Sequence, residues 1–234
     1  MQYVMLVRVD PDLAATTTID DVEPWVEEGA SAGLRIDGRP LEDPSTATTV
    51  RVRDGAVLLS DGPFAETKEI VAGYDLLEAP DLEAAVGYAG RHPVAAIGAL
   101  EVREVWGDFV AAREAESPEP RADGIDYLFL HVPDPELLKT ATRATGDPTP
   151  WVRSVEEQGS TLGGFRLRDA DAGHSAIARV REGELLITRG PFAEVTEQVA
   201  GIDRIRAADL DEAIAIAAAH PTAHIGAIEV RPFG

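Results

Sequence analysis

Two histidines in the sequence stand where an ionisable ring could act on a ligand. His92 and His220 each precede a proline at the end of an apolar, helix-like stretch. Proline cannot continue a helix, so each ring should lie at a helix C-terminus, whose partial negative charge stabilises the imidazolium form. We predict that each histidine is a general acid or base, or a hydrogen-bond donor to a small acid or phenol. The alternative is a cap whose ring binds the last helix carbonyls.

Carboxylates lie around a Gly-Pro-Phe turn upstream of the first histidine. Asp61 directly precedes this turn, and Glu66 and Glu69 follow it. Paired carboxylates work as acid and base when their surroundings push their pKa values apart. The predicted catalytic residues are therefore His92, Asp61, Glu66 and His220, with Asp61 orienting or neutralising the imidazolium. The alternative is that these carboxylates are solvated surface groups.

Residues next to these groups are predicted to bind the ligand. Phe64 would form a wall of the pocket, although Gly-Pro-Phe is also typical of a turn whose ring fills the core. The predicted ligand-binding residues are Phe64, Glu69, Tyr74, Phe192 and Glu194. No metal or cofactor is predicted, because cysteine is absent and the histidines show no spacing that brings three ligands together on one element.

Four arginines alternate along predicted strands: Arg51, Arg53, Arg179 and Arg181. They could clamp a carboxylate. The period of two favours a different interpretation, in which they form the solvent-facing side of their strands.

The chain contains the same long segment twice. Residues 61–103 align without a gap with residues 189–231, and more than half of the aligned positions are identical. Shorter matches extend back towards the start of each half, which indicates a tandem duplication. We predict a first repeat at residues 1–107, an acidic linker at 108–123 and a second repeat at 124–234.

The second copy lacks polar residues of the first. Asp61, Lys68 and Tyr74 correspond to Arg189, Thr196 and Ile202. If the aspartate is functional, a single working site lies in the first repeat.

The pattern of each repeat predicts an α+β fold. In the first repeat we expect strands at residues 2–9, 48–53, 56–59, 71–78 and 98–103, with helices at about 21–32 and 81–91. This order is typical of ferredoxin-like units, which carry helices on one face of the sheet and need a cover on the other. We therefore expect the two repeats to pack sheet against sheet, as an intramolecular pseudo-dimer with a barrel-like core.

Composition excludes several classes of partner. The 234 residues carry a formal net charge of -21, from 42 acidic and 21 basic side chains, which disfavours direct binding to nucleic acid or to a membrane. The N-terminal segment has no signal-peptide pattern and no stretch is long enough to span a bilayer, so the expected location is cytoplasmic. The full chain is expected to be a monomer or a homodimer.

The segment DGPFAETKE at residues 61–69, with the VAGYDLL run after it and the closing GALEVR, resembles the DGPF type of the YCII-related family. The resemblance covers nearly all of both repeats. It implies a dimeric α+β barrel and small-molecule chemistry at a His/Asp pair. It also implies an association with extracytoplasmic-function sigma factors.

These observations predict a protein that binds a small organic molecule between its repeats, with His/Asp acid-base chemistry as the possible reaction. The alternative is a non-catalytic regulatory protein that acts with an extracytoplasmic-function sigma factor. The sequence leaves open whether the protein is an enzyme and what its ligand is.

Overall fold

The computed structural model describes residues 1–10, 13, 17–18, 21–64, 69–106, 120–140, 147–171, 173–190 and 198–234. The described residues fall into two compact units. Unit 1 draws on Met1–Leu41, Thr67–Val105 and Leu167–Thr196, and unit 2 draws on Glu42–Glu66, Trp106–Arg166 and Glu197–Gly234. Each unit therefore contains chain from both repeats. The repeat and linker boundaries predicted from the sequence stay predictions.

The first repeat contributes six strands and two helices of the described chain. They are β1 (Gln2–Val9), α1 (Glu23–Ser31), β2 (Arg35–Pro40), β3 (Thr48–Arg53), β4 (Ala56–Asp61), β5 (Ile70–Glu78), α2 (Leu82–Ala89) and β6 (Gly98–Glu104). Single 3-10 turns lie at Pro44–Thr46 and Pro93–Ala96.

The second repeat has the same strand order. Its elements are β7 (Ile125–Pro133), α3 (Pro135–Thr140), α4 (Thr149–Glu157), β8 (Thr161–Arg166), β9 (Ser175–Arg181), β10 (Glu184–Arg189), β11 (Gly201–Ala207), α5 (Leu210–Ala219), α6 (Pro221–His224) and β12 (Gly226–Pro232). No helix among the described residues is long and apolar enough to cross a membrane.

The two repeats exchange hairpins. The sheet of unit 1 has the order β10-β9-β6-β1-β5-β2, and that of unit 2 has the order β4-β3-β12-β7-β11-β8. The β3–β4 hairpin thus completes the sheet built on the second repeat, while β9–β10 completes the sheet built on the first. Both sheets are antiparallel and open over the described residues. The α+β class is confirmed, and the barrel-like core stays a prediction.

Local sequence signals place most elements correctly. The hairpin β3–β4 turns at Asp54 and Gly55, both with positive φ, as a two-residue turn of this kind requires. Asp81 caps α2 by accepting a hydrogen bond from the N–H of Ala84. The strand β2 was not predicted, because its sequence RIDGRP contains glycine and proline. It is an edge strand, where these residues are tolerated.

The helices of each unit cover one face of its sheet. In unit 1, Trp25 on α1 and Val86 and Tyr88 on α2 pack on Met5 and other apolar side chains of β1 and β6. In unit 2, Trp151 on α4 and Ile216 on α5 belong to a cluster with Phe129 and Val230. The aliphatic composition of the chain is therefore sufficient for two separate cores.

A buried carboxylate in unit 2 fastens the exchanged hairpin. Glu229 on β12 is 1% exposed and accepts a hydrogen bond of 3.0 Å from the backbone N–H of Phe64, just after β4. Its other oxygen accepts from Nη1 of Arg231 at 3.1 Å, and Nη2 of Arg231 donates to the carbonyl of Glu42. The last strand of the second repeat is thereby bonded to both ends of the first-repeat segment that carries β3 and β4.

A buried glutamate bonded to arginine is also present in unit 1, at Glu101. Glu101 is fully buried and accepts from Nε of Arg8 at 2.7 Å and from Nη1 of Arg103 at 3.3 Å. Burial alone would raise the pKa of Glu101, but the two guanidinium groups outweigh it and lower the pKa below its usual value. Arg103 also donates to the carbonyl of Arg168 at 2.6 Å, which is the counterpart of the Arg231 contact with Glu42.

The strand arginines correct one expectation. Arg53 donates to the carbonyls of Ala223 and Gly226, at 2.9 and 3.0 Å, and Arg181 makes the matching contacts in unit 1. Arg179 forms an ion pair with Glu69. These three arginines are half-buried and do not simply face solvent, because hairpin exchange places them against backbone and side chains of the other repeat. Arg179 binds a carboxylate, as the alternative interpretation allowed.

We expect Glu229→Gln to lower the free energy of unfolding by about 3 kcal/mol, because it removes a buried negative charge that is bonded to the Arg231 guanidinium. Urea denaturation measures this loss, and amide exchange should also become faster at Phe64. Glu184→Gln, on the exposed face of β10, removes the same charge and is the matched control. Equal stability of the two variants would contradict the structural role of Glu229.

Candidate functional site

Each unit contains the same pair of rings. In unit 1, Trp25 and His92 meet edge to face, with 4.6 Å between ring centroids, and in unit 2 Trp151 and His220 do so at 4.5 Å. The indole of Trp25 donates its N–H to the carbonyl of Tyr88 on α2, and that of Trp151 donates to the carbonyl of Ile216 on α5. The helices therefore fix the tryptophans, and the tryptophans pack against the buried imidazoles.

Both histidines are held in one tautomer. Nδ1 of His92 accepts a hydrogen bond of 3.1 Å from the N–H of Val94, and Nδ1 of His220 accepts one of 3.0 Å from the N–H of Thr222. In the neutral ring the proton must then lie on Nε2. Each ring is an N-cap of the turn that follows it, and it offers a donor, not a lone pair, on its other side. The alternative interpretation, in which each ring binds the last carbonyls of the preceding helix, is therefore wrong.

The two imidazoles are also difficult to protonate. Burial, with a smaller contribution from Arg35, lowers the pKa of His92 to about 4. Burial lowers the pKa of His220 well below its usual value, and the neighbouring His131, Arg166 and His224 add to the effect. The predicted stabilisation of the imidazolium by the helix terminus is therefore outweighed by desolvation. Of the roles predicted for these histidines, the geometry favours the hydrogen-bond donor.

A buried aspartate accompanies each ring pair. Asp75 on β5 and Asp203 on β11 correspond in the two repeats and are 5% and 6% exposed. In unit 1, Nε of Arg35 donates to Oδ1 of Asp75 at 2.6 Å. Burial nevertheless raises the pKa of Asp75 to about 6, against the opposing effect of Arg35.

In unit 2 a histidine replaces the arginine as the partner of the aspartate. Nε2 of His131 on β7 lies 2.9 Å from Oδ2 of Asp203, close but outside hydrogen-bond geometry. The ring of His131 also packs on that of His220, with 4.3 Å between centroids. The first repeat has Val7 in place of His131, and the second has Thr161 in place of Arg35. The unit 2 cluster is defined here as His131, Asp203 and His220.

The unit 2 cluster has the composition of a metal site. One ring nitrogen of each histidine and one oxygen of Asp203 lie within 4.8 Å of one another. A metal needs an unprotonated nitrogen, but the N–H of Thr222 already occupies Nδ1 of His220 and leaves the proton on Nε2. The tautomer of His220 therefore does not fit a metal ligand at this nitrogen.

Two of the catalytic residues predicted from the sequence belong to different units. Asp61 is exposed at the end of β4 in unit 2, whereas His92 is buried in unit 1 beside Trp25. Phe64 is half-buried, and its backbone is bonded to Glu229.

Two predicted ligand-binding residues have internal partners. Glu69 forms a 2.5 Å ion pair with Arg179, and the hydroxyl of Tyr74 donates to Asp37 at 2.8 Å. Glu66, Phe192 and Glu194 lie outside the described residues. The functional roles of all these residues stay predictions.

Sequence reasoning missed Asp75, Asp203 and the role of His131. One signal was available, because both repeats place an aspartate after the same Val-Ala-Gly sequence and an apolar or aromatic residue, in VAGYDLL and VAGIDRI. A charged residue in a buried strand is costly and indicates a specific partner. The partner itself was not predictable, since it is an arginine in one repeat and a histidine in the other.

Fold and site together define a class of protein: a tandem α+β protein whose repeats exchange hairpins and each carry a buried Trp-His-Asp group. The YCII-related domain profile matches residues 1–109 and 126–233. The chain therefore belongs to the YCII-related family and contains two tandem copies of its domain. A comparison with curated proteins found no match.

We expect His92 to make stability depend on pH. Its pKa is lower in the folded state, about 4, than in the unfolded chain, so the unfolded state takes up the proton first as pH falls. Above about pH 6.5 the neutral His92 ring makes its full contribution to the free energy of unfolding. Between about pH 6.5 and 4 this contribution falls by about 3 kcal/mol in total.

His92→Asn retains an acceptor for the N–H of Val94 and is the matched comparison. Urea denaturation of both proteins across this range should give wild-type stabilities that decline relative to the variant. The raised pKa of Asp75 changes stability with pH in the opposite direction. Asp75 is present in both proteins, so its effect cancels in the comparison. Parallel pH profiles would contradict the buried neutral histidine.

Proposed function

We propose that the protein binds a small organic molecule at the unit 2 cluster and transfers a proton there. The observation that supports this most directly is the 2.9 Å contact between His131 and Asp203 beside the fixed donor His220. A base, a carboxylate that stabilises its protonated form and a separate hydrogen-bond donor are the components that acid-base chemistry on a carbonyl compound or phenol requires.

His131 is the proposed base. No backbone N–H of the described residues binds its ring, in contrast to His220, so no cap occupies a nitrogen of this ring. Asp203 provides the negative charge that stabilises the imidazolium once the proton has been taken up. His131 is partly accessible, with 12% of its side chain exposed. It can therefore meet a ligand more readily than the buried His220.

His220 is the proposed donor to the substrate oxygen. When His131 removes a proton from the carbon next to a carbonyl, the C–H electron pair forms the new C=C bond, and the π pair of the C=O bond moves to the oxygen, which becomes the enolate oxygen. The Nε2–H of His220 would donate to that oxygen. Because the low pKa of His220 keeps its ring neutral, it remains a hydrogen-bond donor without releasing its proton.

Unit 1 lacks two of these components. Val7 occupies the position of the base, and Arg35 already neutralises Asp75. The comparison of the units thus favours the second repeat as the working site, whereas the sequence alone favoured the first. The cytoplasmic location and the sigma-factor partner stay predictions from sequence and resemblance.

We expect the protein to accelerate the exchange of α-protons with D2O in 2-oxo acids or β-dicarbonyl compounds, measured by proton NMR. His131→Gln should reduce this exchange at least about 100-fold, because general-base catalysis contributes factors of that size. Asp203→Asn should reduce it by a smaller factor.

His174→Gln is the matched control, because His174 lies in unit 1 and contacts Glu104 at 2.8 Å. It should leave the rate of exchange unchanged. Undiminished exchange in His131→Gln, with the fold retained, would refute the proposed base.

A further inference from the structure

A row of three residues crosses the sheet of unit 2 beside the proposed base. Gly201 on β11 lies directly opposite His131 on one side and Arg166 on the other. Directly opposed residues of antiparallel strands share a face, so the His131 and Arg166 side chains emerge on the same face. Two strand spacings place their Cα atoms about 10 Å apart. Gly201 contributes no side chain between them.

The equivalent row in unit 1 carries none of this chemistry. There Gly73 lies opposite Val7 and Pro40. The second repeat therefore differs from the first at both ends of the row, where a base and a cation flank the same central glycine. The two functional groups occur together in one unit and are both missing from the other.

The Arg166 guanidinium is available to a ligand. Its side chain is exposed, and its Cζ lies 5.4 Å from the centroid of the Trp106 ring. No carboxylate of the described residues pairs with it, although the chain carries a net charge of -21. Its positive charge is felt within the cluster, because it contributes to the low pKa of His220.

We infer that Arg166 binds a carboxylate of the ligand above Gly201, so that the substrates are small organic acids. Guanidinium groups bind carboxylates through paired, charge-assisted hydrogen bonds, and the indole of Trp106 holds this guanidinium from one side. A ligand anchored in this way would extend along the row towards His131 and His220. This inference rests on the proposed function for the reaction, but carboxylate binding can be measured without turnover.

Benzoate and its neutral analogue benzamide are suitable probes, with binding followed by NMR of the indole and imidazole signals. Wild type should bind benzoate and should bind benzamide at least about tenfold more weakly. Arg166→Gln should weaken benzoate binding by a similar factor, and Arg166→Lys by less. Arg153→Gln removes an exposed arginine from α4 and should bind like wild type. NMR spectra of the free variants verify that they are folded.

Benzoate binding that is unchanged in Arg166→Gln, or equal to that of benzamide, would overturn the inference, as would no binding to wild type. The proposed function fails separately. If His131→Gln loses proton exchange but still binds benzoate within about twofold of wild type, the carboxylate site and the base are both supported. If Arg166→Gln binds 2-oxo acids as tightly as wild type and exchanges their protons as fast, the role of His131 as the base is supported. The role of Arg166 in binding the carboxylate is then refuted.

Discussion

The exchange of hairpins between the repeats is the constraint on which the rest of the structure depends. It is fixed by two buried carboxylates, Glu101 and Glu229, and by arginines that bond across to backbone carbonyls of the other repeat. These charges are stable in the interior because every one of them has a counter-charge or a backbone partner. Six-stranded sheets result, and each offers a continuous face on which its two core helices pack.

The same frame supports different chemistry in its two copies. The Trp-His pair and the buried aspartate are common to both units, whereas the basic side chain that faces the aspartate is Arg35 in one and His131 in the other. The guanidinium of Arg35 keeps its charge, and it opposes without abolishing the rise of the Asp75 pKa to about 6. A histidine can act as a base where an arginine cannot, and the proposed function rests on this difference. Because the chain contains two copies of the domain, one copy can retain a stabilising ion pair while the corresponding residues of the other copy change.

Much of the fold follows from the sequence, because turns, caps and apolar runs are local signals. The predicted strands at 48–53 and 56–59 are joined by the Asp54-Gly55 turn, and the helix predicted near 81–91 begins at the Asp81 cap. Hairpin exchange was not predictable, since the same local pattern fits a strand that pairs within its repeat or with the other one. The candidate site was harder to predict from the sequence than the fold. His220 was identified from its helix-ending proline, but its tautomer depends on the Thr222 amide, and the Asp203 contact depends on strand register.

The exchanged strands have a consequence for the integrity of the molecule. Because each unit contains chain from both repeats, a break in the peptide backbone within residues 107–119 would not divide the protein into its two units. The fragments would remain joined by the ladders between β3 and β12 and between β6 and β9, and by the buried guanidinium contacts. In the folded protein the pairing of strands from both repeats is thus sufficient to hold the repeats together without the covalent connection. Two separately expressed fragments with the same break point should reassemble, as complementing halves of one protein.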